Sequence, residues 1–465
     1  MSLPHILIFA VLAFLPGRWP GEKLRRPLLF FLSVLALYLL QPSLSIRGLD
    51  FYLPTATIGL VILSWRIVTP AAISWRSQFP TLFALLLLVL GLSLTRFLPW
   101  TLPLTASTPP SPDQVFLLFL LLLPLAMLLR GKHAPFVAIG LLLLIFIVLK
   151  TPSFARQVSE WLRLFTRQDV ARAAASDIRW LGFSFIAFRL IHTLRDHQTG
   201  RLPAVSLAEY ITYVLFFPAL TAGPIDRLER FIQDLRRSFY LTSADLLQAS
   251  ERVSLGLLKK FVLADTLALI ALNDQTAWQL RSSLWSWGVL YAYAWQIYWD
   301  FSGYSDIAIG LGKLFGIHLP ENFNRPYQKP NLTQFWNNWH ITLTQWFRAY
   351  FFNPLTRSLR RSRLSSETII LTTQFSTMLL IGLWHGVTWN FVLWGAWHGL
   401  GLFLHHRWSE WIRPRWQIAP HWQPWLNAGG AILSFHYVTL GWVFFALSSP
   451  SAAWRVFSVL FGGQP

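Results

Sequence analysis

The chain has 465 residues, of which 54% are hydrophobic and only 13% charged, and its formal net charge is +19. Soluble domains carry about 25% charged residues; here the deficit lies in long stretches without any ionisable side chain, which excludes an ordinary water-soluble fold. The stretches are continuous, so they predict spanning helices and exclude barrel strands, which alternate over about 10 residues.

The first apolar stretch, residues 4–16, is followed by the basic cluster Arg18, Lys23, Arg25 and Arg26. A secretory signal has its charge before the apolar run and a small-residue cleavage site after it. The segment is therefore expected as an uncleaved first helix with its N-terminus outside. Further candidate membrane segments follow at 27–40, 51–65, 79–95, 115–129, 134–149, 180–192, 209–222, 253–272, 284–300, 368–384, 386–404 and 429–446. At roughly 20 residues per crossing, about eleven true spans are expected. Arg130, Lys132 and Lys150 end two of the most apolar segments, where their heads can reach the interface.

The loop 99–114 has no Lys or Arg and is placed outside, whereas Arg18–Arg26 and the tract Arg357, Arg360, Arg361 and Arg363 belong inside. Beyond about residue 150 this alternation fails, and re-entrant or interfacial helices would explain it. Basic residues between apolar segments fit a cytoplasmic face on anionic lipid better than nucleic-acid binding. The 25 tryptophans suit interfacial belts. Cysteine is absent, which excludes a thiol nucleophile and thiolate metal ligands. Neither a His-Glu-x-x-His zinc pattern nor a nucleotide-binding loop is present.

Residues 1–150 are apolar and nearly motif-free and read as scaffold. Residues 151–465 read as the catalytic core, and within them 180–400 are interrupted by Gly, Pro, His, Asn and Asp at membrane depth, where polar groups mark a working site. Four constellations stand out. Phe217–Arg227 (FPALTAGPIDR) ends an apolar segment with two prolines and a glycine, as a plain helix terminus also would. In Asp300–Asp306 (DFSGYSD), two acids flank a Ser-Gly-Tyr-Ser break, read as a re-entrant element or a solvated loop. Asn331–Tyr350 reads as one helix capped by Asn331 or Thr333, with Trp336, Trp339, Leu343 and Trp346 on one face and His340 beside Trp336 and Asn337. Leu383-Trp384-His385-Gly386 lies in a run, Thr368–His406, without Asp, Glu, Lys or Arg. An apolar setting favours the neutral imidazole that a general base requires. A structural histidine bonded to a carbonyl is the alternative, and a second Trp-His-Gly at 397–399 weakens any claim for one triplet alone.

In order, AGPIDRLERF (222–231), DFSGYSDIAIGLGKLFGIHLPENFNRPY (300–327), FWNNWHITLTQWFRAYFF (335–352) and LWHGVTWNFVLWGAWHG (383–399) resemble the membrane-bound O-acyltransferase family. The match is closest to its bacterial branch, which acts in alginate O-acetylation and in D-alanine transfer to teichoic acid. The likeness runs from about Leu181 to about Phe461, and the ending GWVFFALSSPSAAWRVFSVLFG (441–462) is similar to the alginate type. Residues 1–150 show little that matches.

The resemblance implies an all-α polytopic fold, a bowl of tilted and re-entrant helices around a tunnel, in the cytoplasmic membrane. It maps the family's two histidines onto His340 and His385, the latter as catalytic base. Asn337, Trp339, Trp384, Ser302, Tyr304, Asp306 and Arg348 follow as supporting or tunnel-lining residues. Asp300 and Asp306 are expected to fix the re-entrant element, and His340, with Asn337, to orient the acceptor or stabilise the oxyanion. No bound cofactor or metal is expected. The implied substrate is an acyl thioester, either acetyl-CoA or an acidic acyl carrier protein on the cytoplasmic side. The acceptor is an extracytoplasmic hydroxyl, of a polysaccharide or through a partner acyltransferase. Acetyl transfer is favoured, with D-alanyl transfer as the alternative. One departure is Ala349 after Arg348, where the family often has Asp; another is the basic tract 357–363 in place of a short Gly-rich turn. A transporter or a non-catalytic assembly scaffold is the reading from another class. No internal repeat between residues 1–230 and 231–465 supports the transporter.

Overall fold

The computed structural model describes residues 6, 22–70, 73–98, 104–128, 131–411, 415 and 419–464. The expected helix at 4–16 (apart from Ile6), Arg18, Arg130 and the start of the 99–114 loop lie outside the described residues. Those described form helices and no strand. They divide into two compact units, Met1–Glu251 with Ala308–Leu319, and Arg252–Ile307 with Pro320–Pro465.

The first unit contains α1 (Glu22–Leu39), α2 (Leu49–Val68), α3 (Phe79–Leu94), α4 (Pro112–Leu128), α5 (Ala134–Lys150), α6 (Pro152–Phe165), α7 (Phe183–Gln198), α8 (Leu207–Val214), α9 (Leu228–Arg236) and most of α10 (Ser243–Leu257). α2 is apolar on all sides and mostly buried, as a helix surrounded by other helices must be. Arg25 and Arg26 cap another helix: Arg25 donates to the carbonyls of Asp234 and Arg237, and Arg26 to those of Leu235 and Arg236. The last carbonyls of α9 have no partner within the helix, so these guanidiniums satisfy them.

After Thr151-Pro152 the chain turns by 95° from α5 into α6. α6 is amphipathic: Phe154, Trp161, Leu164 and Phe165 are exposed while Ser159 and Arg163 are buried. It is the kind of helix that interrupts the loop alternation past residue 150. Its polar face closes on Asp177, whose carboxylate accepts from Ser45 and Ser159 hydroxyls at 2.6 Å, from Arg163 at 2.9 Å and from the Ala174 N–H at 3.2 Å. Burial raises the carboxyl's pKa, but these donors outweigh it and hold the group below the ordinary carboxylate range.

The Phe217–Arg227 segment follows the end of α8 and is mostly buried. Phe217, Ala219 and Leu220 are inaccessible, and the buried Arg189 side chain donates to the Val214 and Ala219 carbonyls, each at 2.8 Å. Asp226 pairs with Arg230, one turn along.

The second unit holds most of α11 (Ser283–Leu314), then α12 (Leu332–Asn338), α13 (Ile341–Phe347), α14 (Ser366–His385), α15 (Trp389–Trp411), α16 (Gln423–Ala446) and α17 (Pro450–Leu460). Two expectations need correction here. Asp300–Asp306 is neither a re-entrant break nor a loop; it lies inside α11, one helix of 32 residues. Its polar groups are tolerated because partners meet them. Arg252 and Lys259 reach Asp306 at 2.6 Å, and Lys260 pairs with Asp300. Gly303 permits this approach: a Cβ there would come within 2.8 Å of the Gly256 carbonyl oxygen. The expected single helix over 331–350 is also broken, at Trp339-His340. Trp336 packs on Trp394, Trp339 on Trp442 and Trp346 on Tyr350, so the predicted aromatic face does not exist as one surface.

Among the described residues, Leu49–Val68, Trp75–Phe97, Ser366–His385 and Pro420–Ala446 are long and apolar enough to cross a membrane, and the bent pair Ala134–Lys150 and Pro152–Phe165 adds one more if counted as a single span. This is fewer than the expected eleven, because several candidates are short, polar or interrupted. The stretch 253–272, for example, passes from α10 into a π-helical turn, Leu258–Ala264, that carries Lys259 and Lys260.

Candidate functional site

α12 begins at Asn331, whose side chain caps it by accepting from the Gln334 N–H at 2.9 Å. It stops at Asn338, Trp339 is extended, and His340 takes a left-handed conformation with φ 42° before α13 starts. A non-glycine residue there costs roughly 1–2 kcal/mol, so the surroundings must hold it. Asn322 does so. Its side-chain oxygen accepts from His340 Nδ1 at 3.1 Å and from the Thr342 hydroxyl at 2.9 Å, and its backbone carbonyl accepts from the Ile341 N–H at 2.9 Å. Its amide nitrogen donates to Ser305 Oγ at 3.3 Å, which fixes which way the amide faces. Nδ1 of His340 therefore carries the proton. Burial pushes the pKa of this imidazole well below its ordinary value and keeps it neutral.

His385 is the last residue of α14. The α14–α15 hairpin brings it into an aromatic shell: Trp384 at 4.5 Å between ring centroids, Phe445 at 4.6 Å, Trp394 at 5.6 Å and Phe391 at 5.8 Å. The hairpin closes this tightly because residue 382 is glycine; a Cβ there would sit 2.2 Å from the Phe391 carbonyl oxygen. His385 is half-buried, whereas His340 is 2% exposed. Trp384 joins them, with its indole 6.3 Å from the His340 ring and 4.5 Å from the His385 ring.

Two cavities flank the α12–α13 elbow. The larger, about 760 Å³, is bounded by Asn322 and Ile341 at the elbow and by Ser302, Asp306, Lys259 and Arg325 among others. The smaller, about 230 Å³, is bounded by Trp336, Asn337, Arg348, Phe352, Gln374 and Met378 among others.

The predicted residues thus separate into groups. Ser302 and Asp306 line the larger cavity, Asn337 and Arg348 the smaller, and Arg348 donates to Asn337 Oδ1. Trp384 lies between the histidines. Trp339 is buried against Trp442 and Tyr327, and Tyr304 is buried outside the set of residues lining either cavity. Asn322, Arg252 and Lys259 were not singled out from the sequence. Adjacent lysines in an apolar segment were a usable signal for the last, because a cation at membrane depth needs an acid. Nothing local to Asn322 marks it.

Residues 104–449 match the MBOAT, membrane-bound O-acyltransferase family. The chain belongs to this family. It is 34% identical over 287 residues to a probable alginate O-acetylase of Azotobacter vinelandii, covering 60% of this chain and 53% of that protein. It is 31% identical over 290 residues to a teichoic acid D-alanyltransferase of Streptococcus thermophilus, covering 58% of this chain and 68% of the relative. A peptidoglycan O-acetyltransferase of Helicobacter pylori is 34% identical over 256 residues, 55% of this chain and 46% of that protein. The chain spans about half the length of the alginate O-acetylases it matches. Membership makes it a polytopic, all-α membrane protein.

Proposed function

We propose that this protein is an O-acyltransferase of the cytoplasmic membrane that moves an acyl group from a cytoplasmic thioester to a hydroxyl of a cell-envelope polymer or of a partner enzyme. The observation that carries the reading is the pair of histidines on one indole, with two cavities bordered by residues of the elbow that bears His340. In the reaction, the hydroxyl oxygen attacks the thioester carbonyl while His385 takes the hydroxyl proton. When the tetrahedral intermediate collapses, the carbon–sulfur bond breaks and the imidazolium returns the proton to the leaving thiolate. Base assistance of this kind gives about 10²–10⁴ in rate. His340 has its Nδ1 proton committed to Asn322. The role we assign to it is to orient the acceptor hydroxyl rather than to donate its Nδ1 proton to the oxyanion. Asp306, bound by Arg252 and Lys259, serves the cavity wall.

Acetyl transfer is favoured by relatives named for O-acetylation of alginate and peptidoglycan. A D-alanyl donor on an acidic carrier protein is the second reading, supported by the exposed tract Arg357, Arg360, Arg361 and Arg363 and by relatives named for D-alanyl transfer to teichoic acid. The test uses purified protein in nanodiscs, wild type beside His385→Ala. Each is given radiolabelled acetyl-CoA or a labelled D-alanyl carrier, and thioester loss is followed. Turnover of one donor, reduced about 10²–10⁴-fold in His385→Ala, is expected. Wild-type turnover in a folded His385→Ala protein refutes the assigned base.

A further inference from the structure

Among the described residues, the chemistry above leaves two buried histidines unused, His192 and His398. His398, in the second Trp-His-Gly triplet, is 0% exposed, and neither ring nitrogen has a hydrogen-bond partner. Four aromatic rings enclose it: Trp394 at 4.9 Å, Trp336 at 5.1 Å and 90°, and Tyr437 and Trp442 at 6.2 Å. Its Nε2 faces Gly441, where a Cβ would come within 2.8 Å. An imidazole left this way weakens the fold, because burying an unpaired polar group is unfavourable and an apolar side chain of similar volume would avoid it. A buried unsatisfied group in a native protein calls for a functional explanation.

Its two closest neighbours supply one. The Trp394 indole lies between His398 and His385, 5.6 Å from the latter. Trp336 belongs to α12, borders the smaller cavity and precedes the His340 elbow by one turn. Both indoles meet the imidazole in a T-shaped arrangement, at 90° and 62°, the geometry in which an imidazole N–H can make a weak directional contact with a ring that an aliphatic group cannot make.

We infer that His398 is a positioning residue: it fixes the Trp394 indole against which His385 packs, and thereby the orientation of the base. The inference rests on the acyltransferase reading with His385 as base. The test compares His398→Leu, which keeps volume and removes the polar atoms, with His398→Gln, which keeps an N–H donor and an acceptor. In His398→Leu the melting temperature stays level or rises, the KM for the donor thioester stays within about 3-fold, and kcat falls about 10- to 100-fold, the range expected when reacting groups are misplaced. His398→Gln recovers part of that loss. A kcat in His398→Leu equal to wild type, or lower only in proportion to a loss of folded protein, overturns the inference. Wild-type activity in His385→Ala would instead overturn the reading on which it rests, so the two failures are distinguishable.

Discussion

The Asp177 lock and the His340 elbow both bury polar side chains in an apolar protein, but they close differently. Around Asp177, two serines, an arginine and a backbone N–H converge on one carboxylate, and α6 is held by them. At the elbow, Asn322 binds only one nitrogen of His340, and cavities border the residues on either side. Close by, Trp336, Trp394 and His398 keep buried nitrogens without hydrogen-bond partners. A satisfied network rigidifies, whereas a partly satisfied one lowers stability and persists where chemistry uses it.

The largest expected effect breaks the lock. Arg163→Ala leaves the Asp177 carboxylate buried without its cation and is expected to lower stability by about 3–5 kcal/mol, read as the thermal midpoint in detergent. Turnover per folded molecule should stay near wild type; a selective loss of kcat would dissolve the distinction. Asn322→Ala should do the reverse. It frees His340 from its strained conformation and is expected to reduce kcat about 10²-fold with a smaller change in the thermal midpoint. Activity near wild type would show that the elbow holds without Asn322.

A pH series sharpens the same contrast. Because the Asp177 pKa is depressed in the fold, its contribution is full above the unfolded carboxylate value of about 3.9 and is lost as pH falls through the folded value. The gap in thermal midpoint between wild type and Asp177→Asn should therefore be constant from pH 7 down to about 4 and shrink below it. A gap that widens on acidification would contradict the assigned network. The smallest effect belongs to Glu160→Gln, which removes the exposed pair with Arg156 and should change stability by less than about 1 kcal/mol.

Much of the second unit was legible in the sequence. Apolar continuity placed α14 within two residues, left the end of α15 seven residues short and the start of α16 six residues late, and Asn331 announced its cap. The misreadings have a common cause. A Ser-Gly-Tyr-Ser run looks like a break when only local propensity is weighed, yet α11 continues through it because Arg252, Lys259 and Lys260 arrive from another segment to neutralise its acids. Likewise, NLTQFWNNWHITLTQWFRAY has no glycine or proline to signal an elbow. The break at His340 is imposed by Asn322, eighteen residues earlier in the chain.

The sequence by itself determined that the chain is a helical membrane protein, which family it belongs to, and which histidines to watch, because those properties live in composition, periodicity and ordered motifs. Only the tertiary structure decided that His340 and His385 share the Trp384 indole, that Asn322 sets the tautomer of His340, and that Trp394 lies between His398 and His385. Each of these depends on side chains far apart in sequence meeting across packed helices, and a linear pattern carries no record of such meetings.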